Sequence, residues 1–445
     1  MREDIYRTLR RFWRGGQATR RHLQELRKTQ WLAPEELERW QFSRLKKLVK
    51  FAYEHVPYYR DRYRNADIHP EDIKSFADFQ ALPFLTREDV NKNLDRMVAP
   101  HLRKKTVRER TGGSTGEPIR FFVDNSFWWW NAALEFRCRE WYRVKEGDKL
   151  AWVWGDMREI KDKSWTERIK ARLMGQKFLN AFAMTDDNMR SFAEMLSRWQ
   201  PAIIRAYVSA IALLARHIKT LDIDPIRPKL IETSAEKLSD PQRELLEEVF
   251  RCPIADCYSS RELSTMAYEC EKGRLHACET CIPEIIVKGQ PANPGKMGEV
   301  VVTSLTQYAM PFIRYKNGDM GIAAIEQHCD CGRGLPVFQE IVGRTNDYLV
   351  TSEGQFVHNT YFLSVFNVRP EVIRFQVFQP DRNRLDIRLE CNQSVSQEWL
   401  NALTDQVRYR FGQATQITIH VVDKIELTTS GKLRFVISEV EPDFI

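Results

Sequence analysis

The stretch Thr111-Gly112-Gly113-Ser114-Thr115-Gly116-Glu117-Pro118 joins two strand-like runs, Thr106-Val107-Arg108-Glu109-Arg110 and Ile119-Arg120-Phe121-Phe122-Val123. Hydroxyls at Thr111, Ser114 and Thr115 and the amides around three glycines can present donors to phosphate oxygens. Glycine serves where backbone approaches a ligand closely or takes positive φ. The loop lacks the Gly-Lys-Ser/Thr of a Walker A motif, and a strand follows where that motif has a helix. Taken alone, the same residues suit an ordinary hairpin turn.

Upstream, the chain reads as helical. Ile5, Leu9, Phe12 and Trp13 form an apolar stripe that stops at Gly15-Gly16, and Leu45, Leu48, Phe51 and Ala52 form a second. Pro57, Pro70, Pro83 and Pro100 divide the region into short helices. Downstream, Leu150–Trp154 and Ala202–Ile204 read as strands, and Ile211–Ile218 as a helix. Asp240–Val249 is an amphipathic helix with Ser239 or Asp240 as its cap and Pro241 in its first turn. This alternation predicts α/β layering around a parallel sheet. Further strands are predicted at Gly298–Ser304, Pro311–Tyr315 and Val337–Val342. Beyond Gly343, the strands Arg374–Phe378, Leu385–Leu389 and Thr415–Val422 alternate with a helix over Glu398–Phe411.

Charge narrows the class of function. The 445 residues carry 68 Lys+Arg against 61 Asp+Glu, a formal +7. Residues 1–30 hold nine cations and three acids, a net +6, which leaves +1 for the other 415. A nucleic-acid binder would spread its cations over a surface of the fold, so that class is disfavoured. A hydrophobic fraction of 43% and a charged fraction of 29% describe a globular chain. Mean hydropathy is −0.49, and no apolar run approaches the ~18 residues of a membrane span. No secretory-signal pattern opens the sequence, which points to the cytoplasm. The basic arm, with Ile5, Leu9, Phe12 and Trp13 beside Arg7, Arg10, Arg11 and Arg14, has two readings. It could rest on an anionic membrane surface as a peripheral contact, or pack its stripe on the body.

Four later segments change the weight of the glycine-rich loop. Tyr258-Ser259-Ser260-Arg261-Glu262 offers an aromatic face, hydroxyls and a carboxylate. Arg314-Tyr315-Lys316-Asn317-Gly318-Asp319 ends a predicted strand on an acid. Gly343-Arg344-Thr345-Asn346-Asp347 falls at a change of pattern, and Thr428-Thr429-Ser430-Gly431-Lys432-Leu433-Arg434 puts a lysine on a loop. In this order the segments resemble the adenylate-forming superfamily of acyl- and aryl-CoA ligases. The loop form and Tyr-Ser-Ser-Arg-Glu are most similar to its phenylacetate–CoA ligase branch, close to ligase-like proteins of capsule and polysaccharide biosynthesis.

The resemblance implies an α/β fold: a large N-terminal domain of layered sheets and a small mobile C-terminal α+β domain. With the changes of pattern along the chain, the division is a basic helical region at 1–100, an adenylate-binding core at 101–343 and a small domain at 344–445, the resemblance running from about 105 to the end. The resemblance also implies activation of a small carboxylic acid by ATP and Mg²⁺, then transfer to coenzyme A. An amine or hydroxyl acceptor, or a non-catalytic adenylate-binding scaffold, is the alternative. Thr111, Ser114, Thr115 and Gly116 would bind the ATP phosphates, and Ser234, Ala235 and Glu236 would line the adenine. Tyr258, with Ser259 beside it, would stack near that ring, and Glu262 would hold Mg²⁺. Asp319 would accept from the ribose hydroxyls and Arg344 would sit by the ribose. Lys432 would bridge the carboxylate and α-phosphate as the catalytic cation. Asn346 stands where the family's hinge has an acid, with Asp347 kept, and Glu117 stands where many CoA ligases have lysine.

Seven of nine cysteines lie between Cys252 and Cys331. In a reducing compartment such clustering favours metal or catalysis over cross-links. Members of the branch hold a structural zinc, and the resemblance assigns it to Cys270, His276, Cys329 and Cys331. Cys278-x₂-Cys281 and His328 are rival ligands. Trp128-Trp129-Trp130 and Trp152-Val153-Trp154-Gly155 read as core packing, while Tyr207-Val208-Ser209 is the better candidate for an acyl pocket. The acid's identity and the oligomeric state are not encoded in these patterns.

Overall fold

The computed structural model describes residues 16–111, 118–155, 171, 174–181, 184–344, 348–353, 355–366, 369, 371–426 and 435–440. The first apolar stripe, most of the glycine-rich loop, Asn346, Asp347 and Lys432 lie outside them.

The N-terminal part is helical: α1 (Gly16–Thr29), α2 (Pro34–His55), α3 (Pro57–Asn65), α4 (Phe76–Gln80) and α5 (Arg87–Asn93). The predicted stripe falls on α2, where Leu45, Leu48 and Ala52 are fully buried. In the hairpin β1 (Thr106–Arg110) and β2 (Arg120–Asp124), Thr106 pairs with Asp124 and Arg110 with Arg120. Helix α6 (Asn125–Glu140) follows directly, capped by Asp124, whose carboxylate accepts from the Phe127 amide at 3.1 Å.

A twelve-stranded mixed sheet forms the centre. Its parallel half comprises β3 (Leu150–Trp154), β4 (Gln176–Asn180), β5 (Ile203–Tyr207), β6 (Leu230–Ser234) and the start of β7 (Ile254–Ser260). Helices α7 (Asp186–Trp199), α8 (Val208–Ile218) and α9 (Asp240–Phe250) make the crossovers. Strands buried on both faces read as continuous apolar runs, which is why β3 and β5 are visible in the sequence. The sheet continues antiparallel from β7 through β8 (Ser264–Glu269), β9 (Leu275–Ala277), β14 (Val337–Arg344), β13 (Tyr315–Ala323), β12 (Met297–Ser304), β10 (Cys281–Val287) and β11 (Gln290–Pro291).

One strand prediction needs correction. Pro311–Ile313 lie outside the sheet, and β13 runs from Tyr315 to Ala323, so Asp319 sits within a strand rather than at its end. Pro311 has no amide to donate, and Arg314 takes φ +49°, which breaks extended geometry.

The C-terminal part has its own core. Strands β15 (Tyr348–Val350) and β16 (Phe356–His358) precede α10 (Asn359–Phe366). Then β17 (Val372–Asp381), β18 (Arg384–Cys391), α11 (Gln397–Phe411), β19 (Gln416–Val422) and β20 (Val436–Ser438) follow, and the four strands form a sheet in the order β19-β18-β17-β20. Phe362, Phe375, Val377, Ile387, Leu389, Leu403 and Phe411 fill its interior. The chain is thus a mixed α/β protein with a large sheet and a small C-terminal α+β domain.

Candidate active site and metal centre

The carboxyl ends of parallel strands are where open α/β sheets place ligands. Here those ends carry Trp154-Gly155 after β3, Tyr207 on β5, Ser234-Ala235-Glu236 after β6 and Tyr258–Glu262 around the β7–β8 turn. The antiparallel half adds β13 and β14, whose register sets Asp319 opposite Arg344.

Asn317 and Asp319 flank Gly318, which takes φ +84° where β13 bulges against β12, and the bulge brings their side chains together. The Tyr258 hydroxyl donates to Asp319 Oδ2 at 2.7 Å and accepts from Asn317 Nδ2 at 2.6 Å. Asn317 Nδ2 also donates to that same carboxylate oxygen at 2.9 Å. Oδ1 lies 3.4 Å from Arg344 Nε. Burial pushes the Asp319 carboxyl above its ordinary value, against the pull of Arg344 and the Tyr258 hydrogen bond. One carboxylate oxygen is thus fixed by the protein and the other is oriented beside a guanidinium.

Glu262 is 3% exposed. Its Oε1 is 3.4 Å from the Tyr315 hydroxyl, and its backbone carbonyl accepts from Gln307 Nε2 at 2.6 Å. Thr111 closes the neck of the glycine-rich loop: its hydroxyl accepts from the Ile119 amide and its own amide donates to Ile119 O, both at 3.0 Å. The remainder of that loop's predicted ligands, Ser114, Thr115 and Gly116, lie outside the described residues, as does Lys432.

Ser234 is buried, and its hydroxyl donates to Cys257 O at 2.7 Å and lies 3.0 Å from Ser259 Oγ. Those hydroxyls therefore clip β6 to β7, leaving Ala235 and Glu236 as the exposed part of the segment. The Glu236 carboxylate accepts from the Ser209 amide at 2.6 Å and hydroxyl at 2.9 Å, capping the first turn of α8. Tyr207 packs on Trp154 with ring centroids 4.1 Å apart. A Cβ at Gly155 would come 2.7 Å from the Tyr207 hydroxyl, so only glycine leaves that ring its place. By contrast Trp152 stacks on Phe178 at the sheet's edge, as core. Within the Trp128–Trp130 run, Trp130 is buried and Trp128 exposed.

Sequence reasoning missed Asn317, Tyr315 and Gly155. The glycine between Asn317 and Asp319, which marks a bulge within a strand, was the available signal for the first. Tyr315 and Gly155 act across long sequence separations that no local pattern reveals.

The metal-ligating set comes together from two loops joined through the sheet, since β9 pairs with β8 and β14. The donor atoms of Cys270, His276, Cys329 and Cys331 all lie within 4.8 Å of one another. Two Zn–S bonds of about 2.3 Å at the tetrahedral angle separate their sulfurs by about 3.8 Å. Cys270 Sγ and Cys329 Sγ are 3.7 Å apart, and Cys331 Sγ is 3.3 Å from His276 Nε2. His276 Nδ1 faces Leu335 O at 3.1 Å, which fixes the tautomer with Nε2 free for a metal. Burial holds His276 down at about 4, so the imidazole is the neutral form a cation needs. Three thiols and one such imidazole fit a closed structural Zn²⁺ site.

The rival ligands stand elsewhere. Cys281 Sγ faces Met266 O and Cys278 O at 3.5 and 3.3 Å, and His328 is exposed beside Asp330. The segment around Cys278 and Cys281 serves instead as a seat for the N-terminal helices. Gln41 donates to Glu279 O and Cys281 O at 3.2 and 2.9 Å. Buried Glu279 bonds the Thr29 hydroxyl at 2.8 Å and Arg137 at 2.5 Å.

The Cys329–Gly334 loop is a second seat. Arg333 pairs with Glu271 at 2.9 and 3.1 Å and lies over the Trp141 and Trp31 rings at 4.2 and 5.2 Å. The Gly334 amide donates to Gln30 O at 3.1 Å, and a Cβ there would meet Leu32 O at 1.9 Å. The described half of the basic arm is α1, which packs Leu23 and Leu26 inward and stacks His22 on Trp130. Among the described residues no helix is long and apolar enough to cross a membrane.

Comparison with known proteins adds three findings. Residues 349–439 match the CapK C-terminal domain family. Over 391 residues the chain is 26% identical to protein CapK of Staphylococcus aureus, covering 85% of this chain and 86% of that one. It is 24% identical to the phenylacetate-coenzyme A ligase of Pseudomonas putida, covering 86% and 89%. In fold it is similar to 2-hydroxyisobutyryl-CoA ligase in the postadenylation state, with TM-score 0.70, 20% identity and 93% and 91% coverage. The o-succinylbenzoate coenzyme A synthetase of Bacillus subtilis bound to ATP and magnesium gives TM-score 0.53, 18% identity and 73% and 68% coverage.

Proposed function

We propose that this chain, a relative of CapK and the phenylacetate-coenzyme A ligases with the adenylate-forming fold, is an ATP-dependent, AMP-forming carboxylate ligase. The observation that carries the reading is the oriented Asp319 carboxylate, held by Tyr258 and Asn317 and faced by Arg344, at the carboxyl ends of the parallel strands. A carboxylate pre-set in this way accepts from the two vicinal hydroxyls of a ribose. The glycine-rich loop, anchored at Thr111, then takes the phosphates.

In the first half-reaction a carboxylate oxygen of the acid attacks the α-phosphorus. The bond to the β-phosphate oxygen breaks, and pyrophosphate leaves with its electron pair. Lys432 neutralises charge gathering on the α-phosphoryl oxygens, and Glu262 holds Mg²⁺, whose contribution when bound is to polarise the phosphates. In the second half-reaction an acceptor attacks the acyl carbonyl and AMP departs. Trp154, Tyr207 and Gly155 border the acyl group. Cys270, His276, Cys329 and Cys331 hold a structural Zn²⁺ that ties the 270s loop to the 330s loop.

Coenzyme A is the first acceptor to test, because the full-length likeness includes CoA ligases. An amine or hydroxyl acceptor is the second reading, because the chain is also 26% identical to CapK, which is not named as a coenzyme A ligase. Acid-dependent exchange of labelled pyrophosphate into ATP, lost in Lys432→Ala, is the expected result. No exchange across a broad acid panel would leave only an adenylate-binding scaffold. AMP release that requires coenzyme A then separates thioester from amide or ester formation.

A further inference from the structure

The N-terminal helices set one cation beside the strand that bears Asp319. Leu85 forms an isolated parallel bridge with Tyr315: its amide donates to Arg314 O and the Lys316 amide donates to its carbonyl, both at 2.9 Å. Thr86 then caps α5, its hydroxyl accepting from the Asp89 amide at 3.1 Å. The Asp89 carboxylate is taken by Thr86 and, at 3.2 Å, by Arg62. These contacts fix the residue between them, Arg87, beside Gly318, with Nη1 3.8 Å from where a Gly318 Cβ would stand.

Arg87 is half-buried, and among the described residues it has no hydrogen-bond or ion-pair partner. Arg344, by contrast, is committed to Asp319. Helix stability does not call for a cation at this point, since a positive charge in the first turn opposes the helix dipole that Glu88 and Asp89 satisfy. Helix α5 packs against both β13, which bears Asp319, and β2, which leads out of the glycine-rich loop. Arg87 therefore stands beside the strand that bears Asp319, on a helix that also touches the strand leading out of the glycine-rich loop. After burial and Glu262, Arg87 is the next influence on Tyr315, and it also acts on Asp319, where burial and Arg344 come first.

An unpaired guanidinium offers a planar fork of donors suited to phosphate oxygens. We propose that Arg87, beside Gly318, binds the triphosphate of an ATP whose ribose is held at Asp319. There it meets the negative charge that passes to pyrophosphate when the bond between the α-phosphorus and the bridging oxygen breaks. This role rests on the adenylation reading above and adds to it a residue from the helical N-terminal region.

Calorimetric titration with ATP and, separately, AMP tests it. In the full-length protein with magnesium, Arg87→Ala weakens ATP binding by about tenfold or more and leaves AMP within about twofold, and Arg87→Lys recovers part of the loss. Equal ATP affinity in Arg87→Ala and the parent, or equal loss of ATP and AMP, overturns the proposal in favour of no role or a structural one. A parent protein that binds neither nucleotide overturns the ligase reading instead. Arg87→Met, which keeps the aliphatic stem, carries the same test if the alanine variant does not fold.

Discussion

Tyr258 joins two strands that are far apart in the chain: one hydroxyl donates to Asp319 and accepts from Asn317. Tyr258→Phe removes both bonds and leaves a buried carboxylate less well held. Hydrogen bonds to charged groups contribute about 1.5–3 kcal/mol, so nucleotide affinity should fall by roughly tenfold or more. Equilibrium titration with AMP reads this directly, and unchanged affinity would remove Asp319 from the nucleotide site. At the second centre, Cys329→Ser should abolish stoichiometric zinc while Cys278→Ser and Cys281→Ser keep it, as elemental analysis of the purified variants would show. The residue types of both centres were legible because acids, a tyrosine and Cys/His spacings carry chemistry in themselves. Asn317 was less so, since its amide serves Asp319 together with Tyr258, a partner 59 residues away.

Among the elements, those with buried faces were the readable ones. β3, β5, α8 and α9 follow from apolar runs, helical spacing and the Ser239 cap, and lie within a few residues of their predicted bounds. The misread strand shows the opposite case. Pro311-Phe312-Ile313 looks like strand by apolar content, yet Arg314 turns left-handed and its guanidinium leaves to pair with Glu284 at 2.9 Å. A buried tertiary ion pair of this kind overrides local propensity. The loop after Cys331 gives a prediction at this scale. Gly334→Ala would drive a Cβ into the Leu32 carbonyl, a backbone atom that cannot rotate away. The α1–α2 turn must then lift from the loop, at a cost of roughly 3 kcal/mol or more. A lowered thermal midpoint checks this, and an unaltered one would mean that the turn is not seated there.

Across the molecule, one continuous sheet was the least legible feature, because strand order depends on pairings the sequence pattern does not specify. Its centre holds an ionic network: Glu232, fully buried, accepts from Arg139 at 2.9 Å and from the Tyr268 hydroxyl at 2.8 Å, with Arg205 at 3.0 Å. Burial alone would raise this carboxyl, but Arg139 and Arg205 outweigh it and lower it from 4.5 to about 2. A carboxyl depressed in the folded state contributes stability above its unfolded value, and that contribution is lost as pH falls from about 4.5 through about 2. Acid unfolding followed by circular dichroism should show a decline in that window. Glu232→Gln should be weaker at neutral pH by roughly 3 kcal/mol, because it leaves two buried guanidinium groups to share the one carboxylate of Glu135, and should lose part of the acid slope. The charge asymmetry of the sequence also resolves in part: Arg20, Arg21, Arg27 and Lys28 belong to a helix seated on the body, with Arg27 paired to Glu140.

The seating of the α1–α2 turn on Gly334 has a consequence for how the protein is made. The turn leaves the ribosome about 300 residues before the loop that receives it, and at ~5–20 residues per second that interval is roughly 15–60 s. Throughout it Gln30 and Leu32 have no Gly334 to seat against, and Trp31, exposed even in the finished fold, lacks its contact with Arg333. The seating of the α1–α2 turn therefore waits for the cysteine loop, and the front of the chain reaches its final place only after most of the protein has been made.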